Sequence, residues 1–379
     1  MDDVLIVGGG PAGALTALVL ARAGLRVRVL ERAIVPRDKL CGDTLNPGAL
    51  EVLRRHLDVA PLAARARAIA GMRLTGPGRV EVRGAYRDGA RGLALRRADL
   101  DHWLLDAAAS AGARVDLDTQ VVAPLVRRDR DAVVVAGVRA RHARGADREH
   151  RARWVVAADG RRSRLMFGLG LARQPSAPRR WAVGAYVEGV RDLTAYGEMH
   201  VRRGRYIGVA PMPDGLANVC LVVPAGPGLR APARLLDETI AGDPGLGWRF
   251  ERASRTGPPM VLGPMAVDVP VPGVEGLLAV GDAAGFIDPM TGDGLRFAFR
   301  GAELAAGVVR EVLDGGLPVH RAAGELASRR RRTFGVKWAF NRSLRAVVGW
   351  PTGVSAAAVV ARVAPPLFTR VIRYAGDQS

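Results

Sequence analysis

Cysteine and lysine are nearly missing from this chain. Its 379 residues include two cysteines, Cys41 and Cys220, and two lysines, Lys39 and Lys337. So few cysteines exclude a small secreted scaffold stapled by disulfides and a Cys₄ zinc site, and no metal is expected. Long membrane-spanning runs are missing too. The uncharged stretch 4–21 is interrupted by Gly8-Gly9-Gly10-Pro11 and has no cleavage-site pattern nearby, so it is neither a spanning helix nor a signal peptide. The stretch 346–361 is too short to span and contains Pro351. No internal repeat and no low-complexity linker is present. Apolar residues make up 49% of the chain, which supports a sizeable core and excludes disorder as the main state. At about 100–200 residues per domain, the length allows two or three domains. A cytoplasmic location is expected.

The formal net charge is +19. It is carried almost entirely by arginine, a bias that a GC-rich genome produces without functional meaning. Residues 329–379 hold nine Arg, one Lys and one Asp, a net +9. Nucleic-acid binding would require a recognisable module or basic residues interleaved with stacking aromatics. There is no such module, so nucleic acid is not an expected partner.

The N-terminus reads as a β-α-β unit. Val4-Leu5-Ile6-Val7 suits a strand buried on both faces, 12–23 is helical in composition and stops at Gly24, and 26–31 alternates and ends on Glu31. Between strand and helix stands Gly8-x-Gly10-x-x-Gly13. Gly8 permits a tight turn, Gly10 lets backbone approach a pyrophosphate, Gly13 allows close helix–strand packing, and Glu31 is placed to accept ribose hydroxyls. The helix N-terminus offers unpaired N–H groups to phosphate. A further helix is expected around 98–111, with strands at 113–117 and 151–158. From about 175 to 264 short alternating segments separated by Gly, Pro and Asp-Gly turns indicate an antiparallel sheet. Gly276–Val280 resumes the buried-strand pattern, followed by a strong helix over 295–313.

Gly281-Asp282 follows that last strand, and Pro289-x-x-Gly292-x-Gly294 opens the helix at Leu295. Glycines before a helix expose backbone donors, suited to a flavin ring edge where negative charge builds on reduction. The three motifs Gly8-x-Gly10-x-x-Gly13, Asp159-Gly160 and Gly281-Asp282 resemble, in order and spacing, the fingerprints of class A flavoprotein monooxygenases, the group with the para-hydroxybenzoate hydroxylase fold. Arg97-x-x-Leu100-Asp101 also matches that family, in which the arginine contacts FAD phosphate. The resemblance covers most of 1–315. It implies an α/β chain: a Rossmann-type FAD-binding domain in discontinuous segments (1–72, 93–174, 263–320), an inserted antiparallel β-sheet substrate domain (73–92, 175–262) and a C-terminal helical segment (321–379). It also implies FAD as cofactor with NADPH or NADH as transient reductant; no second G-x-G-x-x-G follows a strand. The cofactor contacts expected are Gly8, Gly10, Pro11, Ala12, Gly13, Glu31, Arg32, Arg37, Cys41, Gly42, Arg97, Val121, Asp159, Gly160, Gly281, Asp282, Pro289, Gly292, Asp293, Gly294 and Leu295.

The segment Arg37-x-Lys39-x-Cys41-Gly42 is similar to that of the geranylgeranyl reductase-like branch, where the cysteine lies near the flavin. Cys41 is a redox-active or proton-donating thiol, a small residue packing beside the flavin, or plain core. With Cys220 far off in sequence, a disulfide-reductase mechanism is not expected. The Y-x-W-x-F-P motif of that branch is changed here to Tyr206-Ile207-Gly208-Val209-Ala210-Pro211. The halogenase W-x-W-x-I-P signature is absent, which makes a flavin-dependent halogenase a minor alternative. The candidate catalytic side chains are Cys41, His200 and Tyr206. The expected reaction is NAD(P)H-dependent monooxygenation of a hydrophobic aromatic or lipid-like intermediate of secondary metabolism; the alternative is saturation of C=C bonds in a prenyl or polyene chain. Basic residues interleaved with Phe334, Trp338 and Phe340 give 326–379 two readings: peripheral association with the inner membrane face, or a helix capping the substrate cavity.

Overall fold

The structure, a computed structural model, describes residues 1–129, 132–143, 145–177 and 179–349, together with 366, 370, 373 and 374. Its first layer grows from the β-α-β unit. Strand β1 (Asp2–Val7) runs into helix α1 (Pro11–Arg22) and returns as β2 (Val27–Leu30). Proline opens α1 at its first turn, where a missing N–H costs nothing. After α2 (Arg97–Ser110) the chain adds β5 (Arg114–Asp116) beside β2; β3 (Gly71–Gly76) and β4 (Val80–Ala85) belong to the second sheet below. A meander follows: β6 (Thr119–Asp129), β7 (Ala132–His142) and β8 (Asp147–Ala157). Strand β8 reaches back to pair with β1, and β13 (Leu277–Ala279) pairs with β8, giving the parallel order β13-β8-β1-β2-β5.

Alternation along β1 divides this sheet into two faces. Val4 and Ile6 point into a core shared with α1, α2 and α3 (Gly294–Leu313). Leu5 and Val7 point to the other face, against Val121, Val135 and Val138 of the β6–β7 hairpin. That hairpin is not marked in the sequence by strict alternation, and it is what covers the second face.

The second sheet has the order β9-β12-β11-β10-β3-β4, with short strands 254–255 and 260–262 flanking β9. Its members are β3 (Gly71–Gly76), β4 (Val80–Ala85), β9 (Arg180–Glu188), β10 (Tyr196–Arg202), β11 (Arg205–Pro211) and β12 (Ala217–Pro224). All its pairings are antiparallel except β3 with β10. Val183, Ile207, Val209, Val219 and Leu221 face outward under a helix at Pro232–Ala241. That helix corrects the expectation of sheet throughout 175–264: Leu236 and Ile240, four residues apart, anchor one helical face. The opposite face carries Ala182, Tyr206 and Val222 and looks toward the first layer. Helix α4 (Ala322–Gly349) closes the described chain against α3. Trp350 and most of the residues beyond it, part of the segment expected to be helical, lie outside the described residues.

Candidate flavin site

The glycine fingerprint works by space as much as by conformation. A Cβ on Gly13 would lie 1.9 Å from the Gly8 carbonyl oxygen, so only glycine lets α1 pass this close to the end of β1. Gly8 has φ +102°, and its added Cβ would sit 2.5 Å from the Ala158 carbonyl oxygen at the end of β8. At Gly10 the nearest atom to an added Cβ is Arg37 Nη2 at 3.8 Å, so backbone there faces open space. Gly13 is therefore a packing residue rather than a lining one, which corrects its expected role as a direct contact.

Two cavities meet along this edge, and Gly10, Lys39, Ala158 and Gly160 line both. The first lies beyond the ends of β1 and β2 and is walled by Gly8, Glu31, Arg32, Arg37, Val121 and Asp159. Glu31 is buried there; its Oε2 accepts from Gly9 N at 2.6 Å and its Oε1 from Ala33 N at 2.9 Å. Each carboxylate oxygen keeps a second acceptor direction for a ribose hydroxyl. Asp159 Oδ2 accepts from Arg164 N at 2.8 Å and fixes the turn after β8.

The second cavity lies between the two layers. Pro11, Ala12, Arg97, Gly281 and Asp282 line its floor, and Pro289, Gly292, Gly294 and Leu295 line its end. Helix α3 starts there without a side-chain cap, and nothing lies within 4 Å of a Cβ added to Gly292 or Gly294. Its first N–H groups are therefore available to an acceptor. Cationic groups gather where the cavities join. Arg97 binds Asp101 through two bonds of 2.8 and 2.9 Å, and Arg37 approaches Asp101 at 3.3 Å. Burial, with Arg97 nearby, lowers the Lys39 ammonium pKa. A bound pyrophosphate would supply the negative charge this group of cations calls for.

Three expected residues are placed differently. Asp293 turns its carboxylate away from the cavity, toward Asn46 Nδ2 at 3.3 Å and Lys337 Nζ at 3.4 Å. His200 lies opposite Ile207 in the β10–β11 register, and alternation turns both to the outer face of the sheet. Its ring is held by Thr75 Oγ1 at 2.8 Å and Glu198 Oε2 at 2.8 Å, and Glu198 is clamped by Arg249. That is a buried structural network away from the cavity. Tyr206 does line the cavity, but its hydroxyl donates to Asp288 Oδ1 at 2.6 Å, and burial raises its pKa well above the ordinary value. It ties β11 to the loop before α3.

Cys41 lines the cavity, as expected of a residue beside the flavin. Cys220, distant in sequence, lines the same cavity from β12. Burial pushes the Cys220 thiol up to about 12, so it is protonated at neutral pH and is no thiolate nucleophile. Sequence reasoning passed over Asp43, next to the Cys41-Gly42 segment. It is 1% exposed, lines the cavity and has φ +53°. Its Oδ2 accepts from Tyr186 Oη at 2.6 Å and from Asn218 Nδ2 at 2.6 Å. The only available signal was an acid beside a recognisable motif, and its partners are 143 and 175 residues away.

Glycine-cradled helix starts, a ribose-facing acid and buried cations around an interlayer cavity define a site whose residues fit FAD. Comparison with known proteins agrees. The sequence profile of the FAD binding domain family matches residues 1–231. Digeranylgeranylglycerophospholipid reductase 1 of Methanopyrus kandleri is 32% identical over 327 residues, 82% of this chain and 81% of that protein. Menaquinone reductase of Mycobacterium tuberculosis is 32% identical over 335 residues, 82% of this chain and 76% of that protein. Among solved structures, the flavin-dependent brominase Bmp2 superposes with a TM-score of 0.84 at 23% identity, covering 99% of this chain and 93% of its own. The chain belongs to the FAD binding domain family, in the geranylgeranyl reductase-like branch of the class A flavoprotein superfamily, and is an FAD-dependent oxidoreductase.

Proposed function

We propose that this protein saturates C=C bonds of a hydrophobic prenyl-type chain held between the two layers, with NADPH or NADH as the external reductant. The observation that carries this reading is identity of 30–32% to named reductases over about four fifths of the chain. The cavity supports it: Leu40, Ala182, Met199, Val222, Leu262 and Met265 supply an apolar wall suited to a hydrocarbon. Bound FAD supplies two-electron chemistry at its ring. The chain's own part is to bind the pyrophosphate through Lys39, Arg37 and Arg97, to offer the α3 N-terminus to the ring edge, and to exclude water with the second sheet.

Monooxygenation is the second reading. One observation favours it: Gly208 and Ala210 stand where the reductase motif carries an aromatic pair, and Gly208 leaves the cavity wall open. Anaerobic turnover separates the two. Dithionite-reduced holoenzyme mixed without oxygen with a digeranylgeranyl glycerophospholipid, or with menaquinone, is expected to yield a product heavier by two hydrogens per bond. No saturated product, with substrate-dependent oxygen uptake under air, would replace this reading by monooxygenation.

Association with an anionic membrane through α4 is part of the proposal. Phe334 is fully buried and Trp338 packs beside it, with Arg330 over both rings, so these aromatics support the capping reading. Arg331, Arg332 and Val336 remain exposed on the outer side. No helix among the described residues is long and apolar enough to cross a membrane. The full-length protein is expected to sediment with vesicles of anionic lipid at low salt and to be released at about 0.5 M salt, where the Debye length falls well below 10 Å. Equal sedimentation with neutral vesicles would remove the electrostatic basis of this idea.

A further inference from the structure

We propose that Asp43 delivers the proton that the substrate takes up in the cavity, with Tyr186 and Asn218 as the residues that position its carboxyl. The inference rests on the reductase reading above. Saturating a C=C bond adds a hydride to one carbon and a proton to the other. The hydride, with both electrons, comes from the reduced cofactor. The proton must come from an acid on the cavity wall: the O–H bond of Asp43 breaks as the C–H bond forms, and water restores the proton to the carboxylate.

The geometry singles out this residue. The two carboxyl oxygens have divided roles. Oδ2 takes both strong donors, Tyr186 Oη and Asn218 Nδ2, whereas Oδ1 is buried without a hydrogen-bond partner among the described residues. An uncommitted oxygen on a buried acid is where a transferable proton can reside. The main chain at Asp43 is in the left-handed region, φ +53°, an arrangement aspartate tolerates but that is uncommon for residues other than glycine. Tyr186 is itself held, with the Arg96 guanidinium 4.6 Å from its ring centroid. Asn218 also donates to the Cys41 carbonyl at 2.9 Å, tying the acid to the segment beside the flavin. Of the other acid–base candidates, Tyr206 is committed to Asp288 and His200 to the outer face, while Cys41 stays on the cavity wall; a Cys41→Ala variant that keeps the wild-type rate and pH profile separates the thiol from Asp43.

Electrostatics agrees with the geometry. The groups facing Asp43 are Tyr186 and Asn218 from the second sheet, Arg97 from α2, Asp38 from the preceding loop and Cys220 from β12. Burial raises the carboxyl and outweighs the hydrogen bonds and Arg97, which lower it, leaving Asp43 at about 6. An acid tuned near the working pH is both present and able to transfer its proton. Because the protonated form is the donor, the rate should fall as pH rises above about 6.

The test uses FAD-loaded protein and a digeranylgeranyl glycerophospholipid as probe. Infrared difference titration of the holoenzyme without substrate should show a carboxylic acid band titrating near pH 6, absent from Asp43→Asn. In anaerobic single turnovers, Asp43→Asn should be slower by about a hundredfold or more, with its visible flavin spectrum intact and its pH profile flat. Asp43→Glu should recover part of the rate. Tyr186→Phe removes a bond to the charged form, so it should move the profile to higher pH; a merely structural role for Tyr186 would leave the profile where it is. If the wild type yields no saturated product, the reductase reading and the donor role fall together. If it turns over while Asp43→Asn matches its rate and profile, or while the band is missing from the wild type, Asp43 alone is excluded.

Discussion

Gly13→Ala should yield a protein that neither retains FAD nor reaches the thermal stability of the wild type. The new methyl would lie 1.9 Å from the Gly8 carbonyl oxygen and 3.1 Å from the Ala158 side chain. Main chain cannot step aside as a flexible side chain can, so α1 must lift from the end of β1. The cost is at least about 3 kcal/mol, the upper end for overpacked cores. Lifting α1 also turns its N-terminal N–H groups away from the pyrophosphate, so binding and stability fail together. Gly10→Ala is the contrast. Its methyl meets only Arg37 Nη2, at 3.8 Å, so the fold should keep its melting temperature while FAD is lost from the crowded cradle. Thermal melts of apoprotein and flavin absorbance after gel filtration separate the two effects. A Gly13→Ala protein that melts like the wild type and stays yellow would contradict the packing argument.

Arg249→Ala, on the short helix Gly247–Phe250 beside the second sheet, should be the most damaging single change to that layer. Arg249 and Glu198 are both buried, joined by bonds of 2.6 and 2.8 Å, and Glu198 is shared with His200. Removing the arginine leaves a buried carboxylate with one hydrogen-bond partner, His200, and only the longer Arg73 ion pair at 4.0 Å, a loss of about 3–5 kcal/mol. The flavin contacts are untouched, so the variant should bind FAD at low temperature and unfold early on heating. The same network sets an acid limit. Burial would raise Glu198, but His200 and Arg249 together hold its carboxyl down at about 2, from an ordinary 4.5. Its stabilisation is complete above pH 4.5 and is lost as pH falls toward 2. Denaturant unfolding of the wild type across that window should show the decline, and Glu198→Gln should flatten it. A wild-type midpoint that stays level from pH 5 to about 3 would rule out this assignment.

Local physics makes much of the flavin site legible in the order of its residues. Gly8, Gly10 and Gly13 act within one turn, Glu31 ends the next strand, and Gly292 and Gly294 precede their helix. Each role depends on neighbours a few residues away, so spacing carries it. The faces of the second sheet are a different matter. Met199 and His200 are adjacent, yet one lines the cavity and the other is buried behind the sheet. A period of two makes that outcome depend on the register alone, and the register of β10 is fixed by its hairpin partner β11 and by β3, which lies far away in the chain. Cys41, in a loop, and Cys220, on β12, share a wall because tertiary packing brings loop and strand together.

The amino-acid sequence by itself determined the dinucleotide cradle, the order of the three flavin motifs and the two-part architecture, because those follow from short-range sterics and hydrophobic periodicity. Tertiary structure alone decided what faces the substrate. It sent His200 and Asp293 away, committed Tyr206 to Asp288, and brought Tyr186 and Asn218 onto Asp43. A carboxyl becomes a buried acid only when distant strands close over it, since desolvation belongs to the packed whole and not to any segment.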